Sequence, residues 1–336
     1  MKFFRGVRTT AVAAVTTAAL ALAFSGCSNQ APEETQNKDD KAGAGQTEKT
    51  DDLTFAVVTH SKPGDPFWDI VKSGADQGGK EMGVTVTYTG DGDPAQQSQL
   101  IDNAVSQKVD GLIVSMANPD GVRGSVEKAV EAGIPVITIN SGLEQSKQFG
   151  AITHVGQSEE LAGVAAGERL KAEGLKKVLC VVHEQGNVGL EQRCAGAGKG
   201  LGRRLTPVVV DISNVADAQN TIKSQLLADK SIDGVLTLNP DIAKAAVQAK
   251  QEAQSSARLA TFDVSADICD AIEAGDLLFA VDQQPYLQGY LPVVMLALKH
   301  RNGNDVGGGQ PVYSGPGFVT KENAAQVKQY ARNGTR

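Results

Sequence analysis

The stretch LTFAVVTHSKPGDPFWDIVKSGADQGGKEM, residues 53–82, decides the fold class. It begins with an apolar run rich in β-branched residues, 54–59, which is typical of a strand covered on both faces. A polar turn follows, and from Pro66 the apolar residues recur three and four positions apart, as they do on one face of a helix. We therefore interpret residues 66–82 as a helix that follows a buried strand.

The same alternation of strand and helix is repeated along the rest of the chain, for example with a second helical pattern over 160–172. Further strands are predicted at 84–89, 111–115, 135–140, 151–155, 177–183, 207–212, 234–238, 259–263 and 278–282. Strands separated by helix-length stretches form βαβ units and parallel sheets with helices on both faces. The ten strands divide into two sheets, so the sequence predicts an α/β fold of two doubly wound parallel-sheet lobes.

Length and net charge limit the number of domains and the classes of function. The chain has 336 residues, 32 Lys and Arg, and 39 Asp and Glu, with 41% hydrophobic residues. That length exceeds the roughly 100–200 residues of one domain, so two domains are expected. The formal charge of −7 argues against a sequence-independent nucleic-acid binder, which would need a basic face.

The first residues predict export from the cytoplasm. Lys2, Arg5 and Arg8 precede a largely apolar run over 11–24, and residues 1–26 contain no acid. This pattern is typical of a secretory signal peptide. The run is short for a bilayer crossing, which takes about 20 residues, and no second stretch of this kind follows.

The segment Ala23-Phe24-Ser25-Gly26-Cys27 resembles a bacterial lipobox, in which small residues precede an obligatory Cys. We expect Cys27 to become the lipidated N-terminus, anchored to the outer face of the cell membrane. Residues 28–52 carry no large apolar side chain, so 27–52 is expected to be a disordered tether. An ordinary signal peptide and a retained anchor are the alternatives, and both also place the domain outside the cytoplasm.

Polar residues cluster where predicted strands end. They are Asp65, Asn140, Asn239, Asp263 and Gln283. In open parallel sheets ligands bind beyond the carboxyl ends of the strands. Any one of these residues could be a helix cap, but five at equivalent places in two lobes indicate the lining of a shared cleft.

Other groups in the sequence give weaker indications of function. A bridge between Cys180 and Cys194 is possible in an oxidising compartment, with Cys269 buried and free, but the sequence leaves this open. The cysteine spacing fits no zinc signature, so no metal or other cofactor is predicted. His183-Glu184 lacks a second His at ligand spacing, and we assign this pair a structural role. Residues 307–309 are three glycines, interpreted as a turn because no phosphate-loop pattern follows.

Several segments together resemble the ribose/galactose-type sugar-binding proteins, whose core also occurs in Lac-repressor-like regulators. The resemblance spans about residues 53–320. It is carried by Asp65-Pro66-Phe67-Trp68, Pro135-Val-Ile-Thr-Ile-Asn140, Val235-Leu-Thr-Leu-Asn239, Ala260-Thr-Phe-Asp263 and Phe279-Ala-Val-Asp-Gln-Gln284-Pro285. The order and spacing of these segments match the family, with Thr261 where the family has Gly.

The resemblance implies a type I periplasmic-binding-protein fold with a multi-strand hinge near 155–157, 282–285 and 310–313. The N-terminal lobe would comprise 53–155 plus 284–311, and the C-terminal lobe 156–283 plus 312–336. The implied ligand-binding residues are Asp65, Phe67, Trp68, Asn140, Ser141, Arg193, Asn239, Asp263 and Gln283.

The function implied is that of an extracytoplasmic solute-binding lipoprotein that delivers a sugar or polyol to an ABC transporter permease. The protein is expected to be a monomer and not an enzyme. Asn140-Ser141 stands where ribose binders usually carry Asp-Arg, which disfavours ribose itself. A sensor that presents its ligand to a membrane receptor, and a binder of a nucleoside or another small polar solute, are the alternatives. A transcription regulator would need a basic helix-turn-helix before residue 53, where this chain has a signal and an acidic tether.

Overall fold

The computed structural model describes residues 52–62 and 65–336 of the chain. The strands, in chain order, are β1 (Thr54–Thr59), β2 (Thr85–Gly90), β3 (Gly111–Ser115), β4 (Val136–Ile139), β5 (Thr153–Gly156), β6 (Val178–Val182), β7 (Thr206–Val209), β8 (Gly234–Thr237), β9 (Arg258–Phe262), β10 (Leu277–Asp282), β11 (Val312–Tyr313) and β12 (Gly317–Val319). All ten predicted strands are present, with ends shifted by at most three residues. The short strands β11 and β12 were not predicted, because two or three residues show no periodicity.

The helices alternate with these strands. They are α1 (Pro66–Met82), α2 (Pro94–Ser106), α3 (Pro119–Glu131), α4 (Leu143–Ser146), α5 (Glu159–Ala172), α6 (Val188–Leu201), α7 (Val215–Ala228), α8 (Pro240–Glu252), α9 (Ala266–Ala274), α10 (Pro285–Asn302) and α11 (Ala324–Arg332). Several begin at an Asp, Asn or Ser whose side chain accepts backbone N–H bonds of the first turn, as Asp65 does for α1. Pro at the first helical position strengthens the same start in α1, α2, α3 and α8.

The strands form two sheets, which define the two lobes. The first has the order β11-β5-β4-β3-β1-β2 and the second the order β12-β10-β9-β8-β6-β7. Every pairing is parallel except that of β10 with β12. In each sheet the strand that comes first in the chain, β1 or β6, lies between two other strands. The carboxyl ends of the neighbouring strands therefore meet at one edge of the sheet, as expected for a doubly wound sheet.

Each sheet is covered by helices on both faces. In the first lobe, one face packs around Phe55 and Val57 and the other around Val58 and Leu112. In the second lobe, the corresponding faces pack around Val181 and Cys180. The apolar residues therefore alternate between two cores in each lobe, which explains why the strands are apolar along their whole length.

The chain passes three times between the lobes, and one passage differs from the prediction. The first two follow β5 and β10, as expected. The third lies at 314–316, because Val312 and Tyr313 pair with Val155 and Gly156 and so extend the first sheet. Residues 312–313 thus belong to the N-terminal lobe, and the predicted boundary between 311 and 312 is two residues too early. An edge strand of two residues is fixed by pairing with a distant strand, which no local pattern reveals.

Helices α5 and α6 pack unusually close together. A Cβ atom at Gly167 of α5 would lie 2.1 Å from the carbonyl oxygen of Ala197, and one at Gly200 of α6 would lie 2.0 Å from that of Val164. Only glycine allows two helix backbones to approach in this way. The close packing brings the first turn of α5 against the middle of α6, where two charged residues of the site described below meet.

Candidate ligand-binding site between the two lobes

A cavity lies between the lobes at the carboxyl ends of both sheets. It encloses about 330 Å³ of empty space, a volume that includes its opening to solvent. The lining residues are His60, Asp65, Phe67, Trp68, Asn140, Ser141, His183, Glu184, Asn187, Leu190, Arg193, Leu238, Asn239, Asp263 and Gln283. All nine residues named from the sequence therefore lie around one cavity. Their proposed role in binding is a separate question from this placement.

The first turn of α1 supplies one wall. The carboxylate of Asp65 accepts the backbone N–H of Phe67 at 3.0 Å and so caps the helix. The rings of Phe67 and Trp68 meet edge to face with centroids 5.0 Å apart, and His60 meets Trp68 at 4.7 Å. The cap and the ring contacts hold this wall in place, so Asp65 serves as a helix cap and a cavity residue at once.

Equivalent residues follow equivalent strands in the two lobes. Asn140 follows β4 and Asp263 follows β9, and both adopt left-handed backbone angles, with φ of 61° and 67°. Such angles are uncommon outside glycine and are concentrated at functional sites. The conformation turns each chain sharply at the strand end, where both side chains line the cavity.

Gln283 joins these two residues at the base of the cleft. Asn140 Nδ2 donates to Gln283 Oε1 at 3.0 Å, and Gln283 Nε2 donates to Asp263 Oδ1 at 2.6 Å. Gln283 lies where the chain passes from β10 to α10, and Gln288 of α10 also donates to its side-chain oxygen, at 3.0 Å. One amide thus connects both lobes through the passage between them.

Arg193 is held by a buried ion pair. Its Nε donates to Glu159 Oε2 at 2.5 Å and its Nη2 to Glu159 Oε1 at 3.0 Å, a two-point contact between α6 and α5. Asp263 Oδ2 lies 3.8 Å from Nη1, and the guanidinium lies over the Phe262 ring at 4.8 Å. Burial disfavours the charge, but the carboxylates of Glu159, Asp263 and Glu184 together outweigh it and raise the pKa of Arg193. The guanidinium is therefore positioned before any ligand arrives.

The structure places four further polar residues around the cavity. His183 and Glu184, given a structural role from the sequence, both line the cavity, as do His60 and Asn187. His60 directly follows β1 and His183 directly follows β6, so the rule applied to the other strand ends would have found both. The His183 Nδ1 atom is buried without a hydrogen-bond partner among the described residues. A buried polar atom without a partner is costly, and a bound hydroxyl could satisfy it.

The two lobes touch across the cavity. Val188 N donates to the carbonyl oxygen of Ala117 at 3.0 Å, and Ser141 Oγ donates to Asn187 Oδ1 at 3.3 Å. His60 Nε2 lies 3.8 Å from Glu184 Oε2. These contacts join the cavity walls, so a ligand in the cavity would contact both lobes at once.

Burial shifts the pKa of several lining groups. It raises the pKa of Asp65 to about 7, and the nearby Asp263 carboxylate adds to the rise. Burial also raises the pKa of Asp263 to about 6, although Arg193 acts in the opposite direction. Burial lowers the pKa of His183 to about 4 and also lowers that of His60. Both imidazoles are therefore neutral near pH 7, each with one donor and one acceptor nitrogen.

A disulfide lies directly behind the charged wall. Cys180 and Cys194 are joined, with their Cα atoms 5.9 Å apart, and Cys269 is a buried free thiol. Cys180 belongs to β6, three residues before His183, and Cys194 directly follows Arg193 on α6. The bond thus connects the strand and the helix that carry these two lining residues.

The arrangement suits a small molecule with several hydroxyl groups. Carboxylates accept hydroxyl protons, Arg193 and the amides donate, and charge-assisted hydrogen bonds are the strong ones. The aromatic rings of α1 can cover the apolar C–H face of such a molecule. Over residues 52–62 and 65–336, no group of His, Cys, Asp and Glu is placed to hold a metal ion. Within the same ranges, no helix has the length and hydropathy that a membrane crossing requires.

Comparison with known proteins gives a consistent family. The family model for the periplasmic binding protein domain matches residues 55–304. A D-apiose import binding protein from Actinobacillus succinogenes is 28% identical over 251 residues, which is 70% of this chain and 77% of the relative. A xylitol-binding protein from Mycolicibacterium smegmatis is 27% identical over 247 residues, 70% of this chain and 69% of the relative.

A solved structure shows the same fold at higher identity. It is a carbohydrate transporter from Acidothermus cellulolyticus in complex with myo-inositol. It is 43% identical, has a TM-score of 0.83, and the match covers 84% of this chain and 99% of that chain. The type I fold and the recognition made from the sequence segments are therefore confirmed.

Proposed function

The chain belongs to the periplasmic binding protein family, and from this membership we propose that it captures a sugar or polyol between its lobes for an ABC importer. Members of this family bind solutes outside the cytoplasm and are not enzymes. The observation that carries the proposal is a cavity lined by both lobes, in which Gln283 connects Asn140 with Asp263. A ligand bound there stabilises the joined lobes because it contacts both walls.

Within this class we propose a cyclic polyol or a monosaccharide of similar size. The relative that is 43% identical was solved with myo-inositol, and another relative is named for xylitol. The neutral Asn140-Ser141 pair supports a ligand other than ribose.

A thermal-shift screen of the purified protein tests the proposal. The probes are myo-inositol, xylitol, common monosaccharides, nucleosides and amino acids, followed by calorimetric titration of each positive compound. We expect a saturable rise in melting temperature with a polyol or monosaccharide, since a ligand at a hundredfold its Kd stabilises by about 2.7 kcal/mol. A rise with a nucleoside alone would keep the fold and contradict the proposed ligand class.

Anchoring is a separate part of the proposal. We propose that Cys27 is lipidated, that 27–52 tethers the binding domain to the outer face of the membrane, and that the protein works as a monomer beside its permease. Residues 1–51 lie outside the described residues, so this part rests on the sequence. Cys27→Ser should release the protein from the membrane fraction, and retention of the variant there would contradict lipidation.

A further inference from the structure

The cavity carries more negative than positive charge. Three carboxylates line it, those of Asp65, Glu184 and Asp263, against the single guanidinium of Arg193. That guanidinium is already engaged by a fourth carboxylate, Glu159, through two hydrogen bonds. The two lining imidazoles are neutral near pH 7 because burial lowers the pKa of each. With its three carboxylates ionised, the cavity therefore carries more negative than positive charge.

The deficit is concentrated at Asp65. Among the described residues this carboxylate has no ion-pair partner, and its one hydrogen bond comes from the backbone of Phe67. The charges that act on it from other elements are Glu184 after β6, Asp263 after β9 and Asp241 on α8, all of them anionic. On β2, the titratable group that interacts electrostatically with Asp65 is the phenol of Tyr88, which is neutral. Asp65 thus lines the cavity together with Glu184 and Asp263, and it has no ion-pair partner in the described part of the chain.

The two cations near the cavity, Arg193 and Lys62, lie against other acids. Arg193 is paired with Glu159 and lies 3.8 Å from Asp263. Lys62 lies 4.0 Å from Asp211 of the second lobe, and its side chain is 36% exposed. Neither forms an ion pair with Asp65 in the described part of the chain. An ionised, partly buried carboxylate is stabilised by a directly bonded cation, and the open space from which one could come is the cavity.

Resting on the proposed function, we propose that this site accepts an amino sugar or aminocyclitol, with the ligand ammonium bound to Asp65. The hydroxyl groups of such a ligand would engage the same residues as a neutral polyol. His183 independently supports a ligand in this cavity, because its side chain is buried in the cavity wall and its Nδ1 atom has no partner in the described part of the chain. An anionic sugar phosphate or sugar acid would be excluded by the same carboxylates.

Matched pairs of compounds test the proposal by calorimetry with the purified protein. The pairs are scyllo-inositol with scyllo-inosamine, D-glucose with D-glucosamine, and D-galactose with D-galactosamine. All six hydroxyls of scyllo-inositol are equivalent by symmetry, so its amine derivative requires no knowledge of which hydroxyl faces Asp65. At about pH 7, where most of each amine is protonated, we expect at least one amine to bind about tenfold tighter than its neutral partner.

Variants assign the effect to one carboxylate. Asp65→Asn keeps the shape and the helix cap but removes the charge, so both members of the pair should bind more weakly and the amine should lose its advantage. Asp69→Asn is the matched control, since Asp69 is exposed on the same helix, and it should leave the ratio of the two affinities unchanged.

The outcomes separate this inference from the proposed function. If the neutral compounds bind and every amine binds no better than its partner, the inference is wrong and the proposed function stands. If the amine advantage persists in Asp65→Asn, the assignment to Asp65 is wrong. If no neutral or amine compound binds and the screen yields only non-sugar ligands, the proposed function and this inference both fail.

Discussion

The two lobes line the cavity with side chains of different chemistry. The first lobe presents the aromatic pair Phe67 and Trp68, the amide of Asn140, and an acid, Asp65, that has no ion-pair partner among the described residues. The second lobe presents Asp263 beside Arg193, with Glu159 and a disulfide directly behind. The charge of the first wall changes near neutral pH, because burial raises the pKa of Asp65 to about 7. The second wall holds its guanidinium in place before ligand binding, since Glu159 engages Arg193 through two hydrogen bonds.

The same difference appears at equivalent positions after β4 and β9. Asn140 and Asp263 share a left-handed backbone and the same partner, Gln283, yet one is neutral and the other charged. Position in the fold therefore does not decide the charge. The guanidinium of Arg193 allows a carboxylate at 263, and no cation stands behind Asn140 in the described residues.

The largest expected effect comes from removing the partner of the buried guanidinium. Glu159→Ala would leave Arg193 buried with only the more distant Asp263, and we expect a loss of about 3–5 kcal/mol in the free energy of unfolding. Chemical denaturation measures it. The control is Glu160→Ala, which removes an exposed ion pair with Lys199 between the same two helices and should cost at most about 1 kcal/mol. Equal losses in both variants would contradict a preset second wall.

The next effect concerns the disulfide. It closes a loop across 14 residues of sequence separation, so Cys180→Ser combined with Cys194→Ser should lower the free energy of unfolding by about 3 kcal/mol. Because the bond joins β6 to α6 next to Arg193, ligand affinity should fall as well. A reducing agent should reproduce both effects in the native protein and change neither in the double variant. Unchanged affinity would show that the helix pair positions Arg193 without the disulfide.

Binding should depend more on Asp263 than on its first-lobe counterpart. Asp263→Ala removes a charged hydrogen-bonding group worth about 1.5–3 kcal/mol, so affinity should fall about 10- to 150-fold. Asn140→Ala removes a neutral group worth about 0.5–1.5 kcal/mol, a loss of about 2- to 13-fold. Titration calorimetry with a ligand from the screen measures both. The reverse order would mean that the ligand rests mainly on the first lobe.

Arg193→Ala is the less informative variant. It would weaken binding, but it would also leave Glu159 buried without its cation, so the fold would be destabilised at the same time. Arg193 therefore cannot be treated as a ligand contact alone, which the sequence had indicated. The two-point contact with Glu159 makes its positioning and its binding role inseparable in that variant.

The smallest expected effect is a pH dependence of the ligand-free protein. The pKa of Asp65 is raised from its ordinary value to about 7, so the stability that this group contributes is full below about pH 4 and is lost as the pH rises through about 7. Asp65→Asn removes this contribution. The melting temperature of the variant minus that of the native protein should therefore rise between about pH 4 and pH 7.

That difference between variant and native protein isolates Asp65 from the other titrating groups. Lowered pKa values at His60 and His183 act in the opposite sense, because protonation of these buried imidazoles destabilises the fold as the pH falls. They contribute equally to both proteins and cancel in the difference. A difference that is constant with pH would contradict the raised pKa and weaken the proposed charge deficit of the first wall.

The sequence by itself determined the architecture and much of the cavity. Strand and helix periods are local, so all ten long strands could be predicted, and the residues at their carboxyl ends include Asn140, Asn239 and Asp263. The acid at Asp65 was found in the same way, from the segment that follows β1. These predictions succeed because hydrophobic period and strand-end position are properties of a few consecutive residues.

Only the tertiary structure decided how these residues are paired and compensated. Arg193 meets Glu159 across 34 residues of sequence and Asn140 meets Gln283 across 143, and both contacts depend on how whole helices and lobes pack. The passage at 314–316 depends on pairing between β11 and β5, and the place of His183 in the cavity depends on the lobes facing each other. Charge compensation is a long-range property, because an ion pair is defined by distance in space and not along the chain.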